Sequence, residues 1–248
     1  MIKLKNNLQL AAMRDSCKIT IQALYEGASL IAPGVELGEI DRKIRQTIEK
    51  HGAKPSFLGY AGFPKSSCIS VNEVVIHGIP EHQILREGDI VSIDVGAYYK
   101  GFHGDCARTF PCGNISPEAK RLIEVTQQSF YAGLDAVRPQ NRVGDISAAV
   151  QRTAESAGYS VVREYIGHGV GESLHEAPDV PNFGMAGKGP RLYPGMTLAL
   201  EPMINAGGKE VRQLSDGWTV VTLDGSLSAH YENTVAVTAD GAEILTEL

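Results

Sequence analysis

Six widely spaced residues carry side chains that could do chemistry together: His77, Asp94, Asp105, His168, Glu201 and Glu232. Two of the acids sit in one pattern used twice. Arg86-Glu-Gly-Asp-Ile-Val-Ser-Ile-Asp94 places a carboxylate six residues after Gly88, and Tyr193-Pro-Gly-Met-Thr-Leu-Ala-Leu-Glu201 places one six residues after Gly195. Both stretches run from a turn signal into a β-type apolar run that ends on an acid. A carboxylate attached to a core strand is costly unless something pairs with it. That cost points to a cation.

Asp94 and Asp105 sharpen the point. A hairpin turning about Tyr99-Lys100 sets residues 94 and 105 directly opposite, with β-carbons roughly 5 Å apart. Two ionised carboxylates that close need a shared cation or a shared proton. Two exposed aspartates on a solvated hairpin are the ordinary alternative. The flanking Ile90, Val91, Ile93 and Val95 count against it. His168-Gly-Val-Gly-Glu-Ser-Leu-His175 is a Gly-rich loop with two imidazoles. Their spacing does not suit one short chelating motif, so the two take different roles. Glycines around a histidine suggest close backbone approach to a site. Glu201 in Leu198-Ala-Leu-Glu-Pro202 and Glu232 in Tyr231-Glu-Asn-Thr234 are again acids on strand-like runs, where an edge-strand surface charge is the plain reading. Four such acids with histidines favour an oxygen-rich two-metal site with one nitrogen ligand. Carboxylates suit Mn, Fe(II) or Co as well as Zn.

The elements that must position these residues follow from periodicity. Residues 8 to 31 read as a helix with Leu8, Ala12, Ile19, Leu24, Ala28 and Ile31 on its apolar face, broken by Pro33-Gly34. A second helix carries Leu37, Ile40, Ile44 and Ile48, with Gly52 at its C-terminal cap. Residues 53 to 67 read as loop, 68 to 72 and 74 to 77 as short strands, and 90 to 95 with 103 to 110 as the hairpin. Ser116-Pro117 opens a third helix, and a fourth carries Ile146, Val150 and Ala154 up to Gly158. From residue 161 the pattern is mainly β, interrupted by a Gly- and Pro-rich loop at 184 to 195. Pro33, Gly38, Ile40, Ile44 and Gly52 recur as Pro139, Gly144, Ile146, Val150 and Gly158, each 106 residues later. Five matches at one offset are hard to credit to chance among common helix punctuators. They predict two similar α+β halves, about 1–110 and 111–248, in one catalytic domain.

Composition bounds the rest. Apolar residues make up 43% and charged residues 21% of 248, so an ordinary soluble core is expected. A net charge of −6 argues against a nucleic-acid binder driven by bulk charge. No apolar run reaches a membrane span, and the start lacks a secretory signal. Four cysteines without a CxxC pair are no disulfide framework, so a reducing cytoplasm is the expected compartment.

Read in order, Cys68-Ile-Ser-Val-Asn-Glu-Val-Val-Ile-His-Gly-Ile-Pro80, Gly88-Asp-Ile-Val-Ser-Ile-Asp94, Gly104-Asp105, Gly167-His-Gly-Val-Gly171, Leu174-His-Glu-Ala-Pro178, Ala199-Leu-Glu-Pro-Met203 and Tyr231-Glu-Asn-Thr234 resemble the methionine aminopeptidases of the short bacterial type I class. The resemblance covers nearly the whole chain. It implies the pita-bread fold, α+β, with two pseudo-symmetric halves around a curved antiparallel sheet and helices outside. It implies that Asp94, Asp105, His168, Glu201 and Glu232 bind two divalent metals, with Asp105 and Glu232 bridging, Asp94 on one ion, and His168 and Glu201 on the other. The implied reaction removes the initiator methionine from nascent chains whose second residue is small, through a metal-activated bridging hydroxide. Glu201 carries the proton, His175 contacts the carbonyl oxygen, and His77 contacts the leaving amide or the next residue.

The same resemblance places Tyr60, Phe63, Cys68 and Trp218 in the methionine pocket, with Phe57 and Leu174 nearby. Leu174 stands where relatives often carry an aromatic, and Phe57 where they carry a small residue. Asn233 replaces a frequent histidine and acts behind the ligands. A structural monovalent cation is implied near Asn72, Val74 and Ser228. Xaa-Pro dipeptidases and aminopeptidase P share the five ligands but usually add a large N-terminal domain, whereas the first helix here begins almost at residue 1. A non-catalytic pita-bread binding module is the alternative outside enzymology, and no ligand is missing. The type II helical insertion has no room between His175 and Glu201. A monomer with transient ribosome contact, no specific nucleic acid and no membrane completes the expectation.

Overall fold

Strand alternation sorts the central residues onto two sides of one sheet, helices behind and a cavity in front. The computed structural model describes residues 1–248. The first half runs α1 (Asn7–Ala28), α2 (Leu37–Lys50), β1 (Lys54–Pro55), β2 (Ser67–Val71), β3 (Val74–Ile76), β4 (Ile90–Tyr99) and β5 (Phe102–Pro111). The second runs α3 (Pro117–Asp135), α4 (Val143–Ser156), β6 (Ser160–Val161), β7 (Gly167–Gly169), β8 (Glu176–Val180), β9 (Thr197–Leu200), β10 (Met203–Asn205), β11 (Val211–Gln213), β12 (Val220–Thr222), β13 (Ser228–His230), β14 (Glu232–Val237) and β15 (Ala242–Ile244). The large sheet is ordered β1-β4-β5-β14-β9-β7-β8, with β2 also on β4 and β15 also on β14. Every pair in it is antiparallel. Small sheets β13-β10-β6 and β11-β12-β3 flank it.

Helix α1 starts on a capping box. The Asn6 side chain accepts from the Gln9 amide at 3.0 Å and the Gln9 side chain accepts from the Asn6 amide at 2.9 Å. It stops at Ala28, short of the expected Ile31, and Leu8 is 84% exposed instead of lying on the apolar face. The face that packs is Met13, Cys17, Ile21 and Leu24, with Ser16 and Thr20 among them. Those hydroxyls stay inside because they are bonded, Ser16 to the Ala97 carbonyl at 2.8 Å and Thr20 to the Ser16 carbonyl at 2.9 Å. Gly104 permits this close approach, since a β-carbon there would lie 2.8 Å from Cys17 Cα. The third helix has the expected Ser116 cap and Pro117 start.

The β4–β5 hairpin is longer than its sequence suggested and turns one residue later. Lys100 and Gly101 both take positive φ, 50° and 87°, as a two-residue hairpin loop requires. Asp94 therefore lies opposite Ala107 and Asp105 opposite Gly96. The expected direct opposition of the two aspartates does not occur. They share a face as diagonal neighbours. Nor does Asp94 end a strand, for β4 continues to Tyr99, while Glu201 does stand one residue past β9.

The repeat has a three-dimensional counterpart. Gly52 and Gly158 close α2 and α4 at φ 71° and 90°, and Gly88 and Gly195 precede their strands at φ 92° each. The α2 entry is held by Leu37 N–H to Gln83 O at 2.9 Å and Gly38 N–H to Glu81 O at 3.0 Å, and α4 by Val143 N–H to Pro190 O and Gly144 N–H to Lys188 O, both at 3.0 Å. Helix pairing repeats too. A β-carbon on Gly27 would meet Ile44 at 2.5 Å, and one on Gly133 would meet Val150 at 2.8 Å. Two pseudo-symmetric halves therefore share one sheet, each with its own helix pair and its own core cluster.

Candidate active site

Three neighbouring strands present acids to the same cavity. Ala107 on β5 pairs with Asp94 on β4 and with Glu232 on β14. Its methyl group leaves a gap between the two carboxylates, and Asp105 fills the next cavity-facing position along β5. The alternate residues Val95 and Cys106 point back to the helices, which is why Cys106 takes no part. Asp105 and Glu232 are 4% and 2% exposed.

The second half supplies the nitrogen. His168 on β7 lies beside Ala199 of β9, and its Nδ1 donates to the Gly169 carbonyl at 2.9 Å. That bond leaves Nε2 bare, the form a metal ligand needs. Nε2 is 3.4 Å from Glu201 Oε1. One donor atom each of Asp105, His168 and Glu232 lie within 4.8 Å of one another. The Glu201 carbonyl is held by the Asn182 side chain at 3.0 Å.

Electrostatics oppose full ionisation of this cluster by itself. Burial raises Asp94 to about 7. Burial, then repulsion from neighbouring carboxylates, holds Asp105, Glu201 and Glu232 well above the carboxylate range. Burial lowers His168 to about 3 and, with His77 and Arg108 adding to it, His230 to about 3. Oδ1 of both Asp94 and Asp105 is buried without a hydrogen-bond partner. Orphaned carboxylate oxygens beside a bare imidazole nitrogen fit a divalent cation, whose charge would satisfy all of them.

All eight residues expected to contact substrate line the same cavity of about 280 Å³ as the five expected ligands. Phe57, Phe63, Cys68 and Leu174 form one apolar cluster, and Trp218 packs edge-on to Phe63 at 5.1 Å between ring centres. His175 sits over His168 at 4.0 Å between ring centres, with its Nδ1 bonded to the Tyr60 hydroxyl at 2.8 Å. His77 follows β3 with φ 57° and is wedged between Tyr165 and Trp218. Burial lowers it to about 4. Asn233 faces away from the cavity, and its Oδ1 accepts from Arg108 at 2.6 Å and from Thr246 at 2.9 Å. At Asn72 and Ser228, named for a monovalent cation, the Asn72 carbonyl accepts from the Ser228 amide at 2.9 Å and the Ser228 hydroxyl bonds Asn205 at 2.9 Å.

Sequence reasoning missed Ile76, Tyr165 and Ile166 on the cavity wall. Their only signal was adjacency to His77 and His168. It also missed His230, whose Nε2 is buried, unpartnered and 3.7 Å from Glu201 Oε2. A lone histidine in an apolar strand gives no pattern to find it by.

An oxygen-rich, metal-ready cluster at the centre of a pseudo-symmetric α+β fold defines a metallohydrolase class, and the family comparison agrees. The sequence model of metallopeptidase family M24 matches residues 11–239, and the chain belongs to that family. Within it, the chain is 53% identical over 246 residues to the methionine aminopeptidase of Clostridium perfringens, covering 99% of each chain. It is 50% identical to methionine aminopeptidase 1 of Bacillus subtilis over the full length of both. The crystal structure of the Thermotoga maritima methionine aminopeptidase superposes with a TM-score of 0.98 at 42% identity, covering all of each chain. The prolidase of Pyrococcus furiosus shares the fold, with a TM-score of 0.80 at 22% identity, and this chain covers 65% of it.

Proposed function

We propose that this chain removes N-terminal methionine from peptides and nascent proteins whose second residue is small. The observation that carries the reading is the junction of an apolar, aromatic-walled cavity with a cluster of four acids, two buried and two partly buried, and one bare imidazole nitrogen. A thioether packs well against aromatic rings, so Phe57, Phe63, Cys68, Leu174 and Trp218 suit a methionine side chain. Full-length similarity to methionine aminopeptidases of several bacteria supports the same substrate.

Asp94, Asp105, His168, Glu201 and Glu232 would hold two divalent ions, drawn from Co, Mn, Fe(II) or Zn. When bound, such ions polarise the scissile carbonyl and acidify water. The protein's own groups do the rest. Glu201 accepts a proton at a carboxylate oxygen and returns it to the departing amine. His175, fixed through Nδ1 by Tyr60, directs Nε2 at the carbonyl oxygen as charge develops there. His77 is neutral at physiological pH and stands where the second residue enters, between Tyr165 and Trp218. A bulky second residue meets that wall. The remaining parts of the reading are a monomer in the cytoplasm that meets its substrates at the ribosome. No helix is long and apolar enough to cross a membrane.

The deciding experiment compares Met-Ala-Ser, Met-Leu-Ser and Gly-Pro with metal-replete protein. Efficient release of methionine from the first alone is expected. Cleavage of Gly-Pro only would replace this reading with Xaa-Pro dipeptidase activity. No turnover of any peptide would leave a binding module.

A further inference from the structure

The central strands β5 and β14 pair about two rungs, Ala107 with Glu232 and Cys106 with Asn233. On each side of these rungs a threonine hydroxyl takes the place of the next backbone pairing. Thr234 Oγ1 accepts from the Asp105 N–H at 3.0 Å and donates to the Asp105 carbonyl at 2.9 Å. Thr109 Oγ1 accepts from the His230 N–H at 2.9 Å and donates to the His230 carbonyl at 2.9 Å. The offset is the same in both cases: Asp105 to His230, Ala107 to Glu232 and Thr109 to Thr234 are each 125 residues apart. His230 thus occupies, in the second half, the place that Asp105 holds in the first. Its backbone is clamped in the same way.

The two imidazoles nearest Glu201 are not equivalent. His168 lines the cavity and faces Oε1 with a bare Nε2. His230 is buried and is not among the cavity-lining residues, and its Nε2 faces Oε2 and is bonded to nothing else. A buried polar nitrogen with no partner calls for an explanation. We propose that His230 is the positioning residue for Glu201, donating its Nε2–H to the Oε2 that His168 does not face. This rests on Glu201 carrying the proton, as proposed above. The 3.7 Å separation needs to close by about 0.8 Å to reach the usual hydrogen-bond length. The bond then presents the other oxygen, Oε1, to His168 and the cavity.

The test has two arms. Side-chain ¹⁵N spectra of the native Zn-loaded protein read the His230 tautomer directly, and Nε2–H is expected. A proton on Nδ1 would overturn the proposal. In the second arm, His230→Leu removes the donor and His230→Gln restores an amide donor at similar reach. With Met-Ala-Ser, His230→Leu is expected to lower kcat about 10- to 100-fold at unchanged KM, and His230→Gln to recover most of it. A Gln variant no better than Leu, or a Leu variant within about twofold of native, sinks the role. Native protein inactive on all Met peptides would reject the functional reading instead, and the tautomer measurement would still decide whether His230 donates.

Discussion

Asp94 and Asp105 face one cavity from adjacent strands while standing two positions out of register, Asp94 across from Ala107 and Asp105 across from Gly96. Neither rung carries two acids. Direct opposition would put the β-carbons roughly 5 Å apart, whereas the diagonal approaches about 7–8 Å and leaves room for an ion between them. The small partners Ala107 and Gly96 keep that room clear.

Gly96 should accordingly resist substitution. A β-carbon there would lie 2.7 Å from Phe57 Cε1 and 2.8 Å from Ser56 Cβ. Gly96→Ala is expected to cost about 1–3 kcal/mol in stability by overpacking. Phe57 must move into the methionine cavity, so KM should rise. Chemical denaturation and steady-state kinetics check both effects, and an unchanged KM would show that Phe57 yields elsewhere.

Asp94 and Glu201 hold equivalent places in the two halves but should fail differently. Glu201→Gln is expected to lower kcat by about 10²–10⁴ even with metal in excess, as loss of a proton carrier does. Asp94→Asn should act through metal affinity, so much of its activity returns as Mn is raised. Metal titration of each variant beside kcat at saturation separates the two. Equal recovery of both would remove Glu201 from proton transfer.

The helix pairs and their punctuation were legible because each depends on local chemistry: Asn6, Ser116 and Pro117 at starts, Gly52 and Gly158 at ends. The recurrence of Pro33, Gly38 and Ile44 as Pro139, Gly144 and Val150 exposed the two halves without any contact being known. The register of the Asp94–Asp105 hairpin was not legible. It turns on Lys100 adopting positive φ, which a lysine does only when the adjoining glycine and the strand twist demand it. Leu8 was misjudged because a helix's buried stripe depends on where the sheet lies. His230 escaped because its meaning depends on Glu201, which is distant in sequence and adjacent only through the paired strands.

Leu174 and Phe57 belong to one apolar cluster with Phe63 and Cys68, and both are buried. Both also line the cavity, so the larger ring of Leu174→Phe should enter the methionine pocket and narrow it. Methionine affinity should fall with it. Adding Phe57→Ala should restore affinity, giving a non-additive pair in a double-mutant cycle. Strict additivity of the two changes in KM would dismiss the idea that they exchange volume.

The metal-free protein should lose stability toward alkaline pH. Asp94 is raised to about 7 by burial, and Asp105, Glu201 and Glu232 lie well above the carboxylate range by burial and then mutual repulsion. A group raised in the folded state contributes stability below its unfolded pKa and loses it as pH rises through the folded value. The buried histidines run the other way. His77 and His168 are lowered to about 4 and 3 by burial first, so their contribution is lost as pH falls below 6.5. The two effects oppose each other in acid. Above 6.5 only the carboxylates remain, so the Tm of the metal-free protein should fall as pH rises from 6.5 through the value of about 7 to which Asp94 is raised. Bound metal favours the ionised ligands, so loading with Mn or Zn should flatten the profile, and its stabilising effect should grow with pH. A metal-free Tm that rises across that interval would mean the four acids are already ionised without a shared cation, and the paired-metal reading of the cluster would fail.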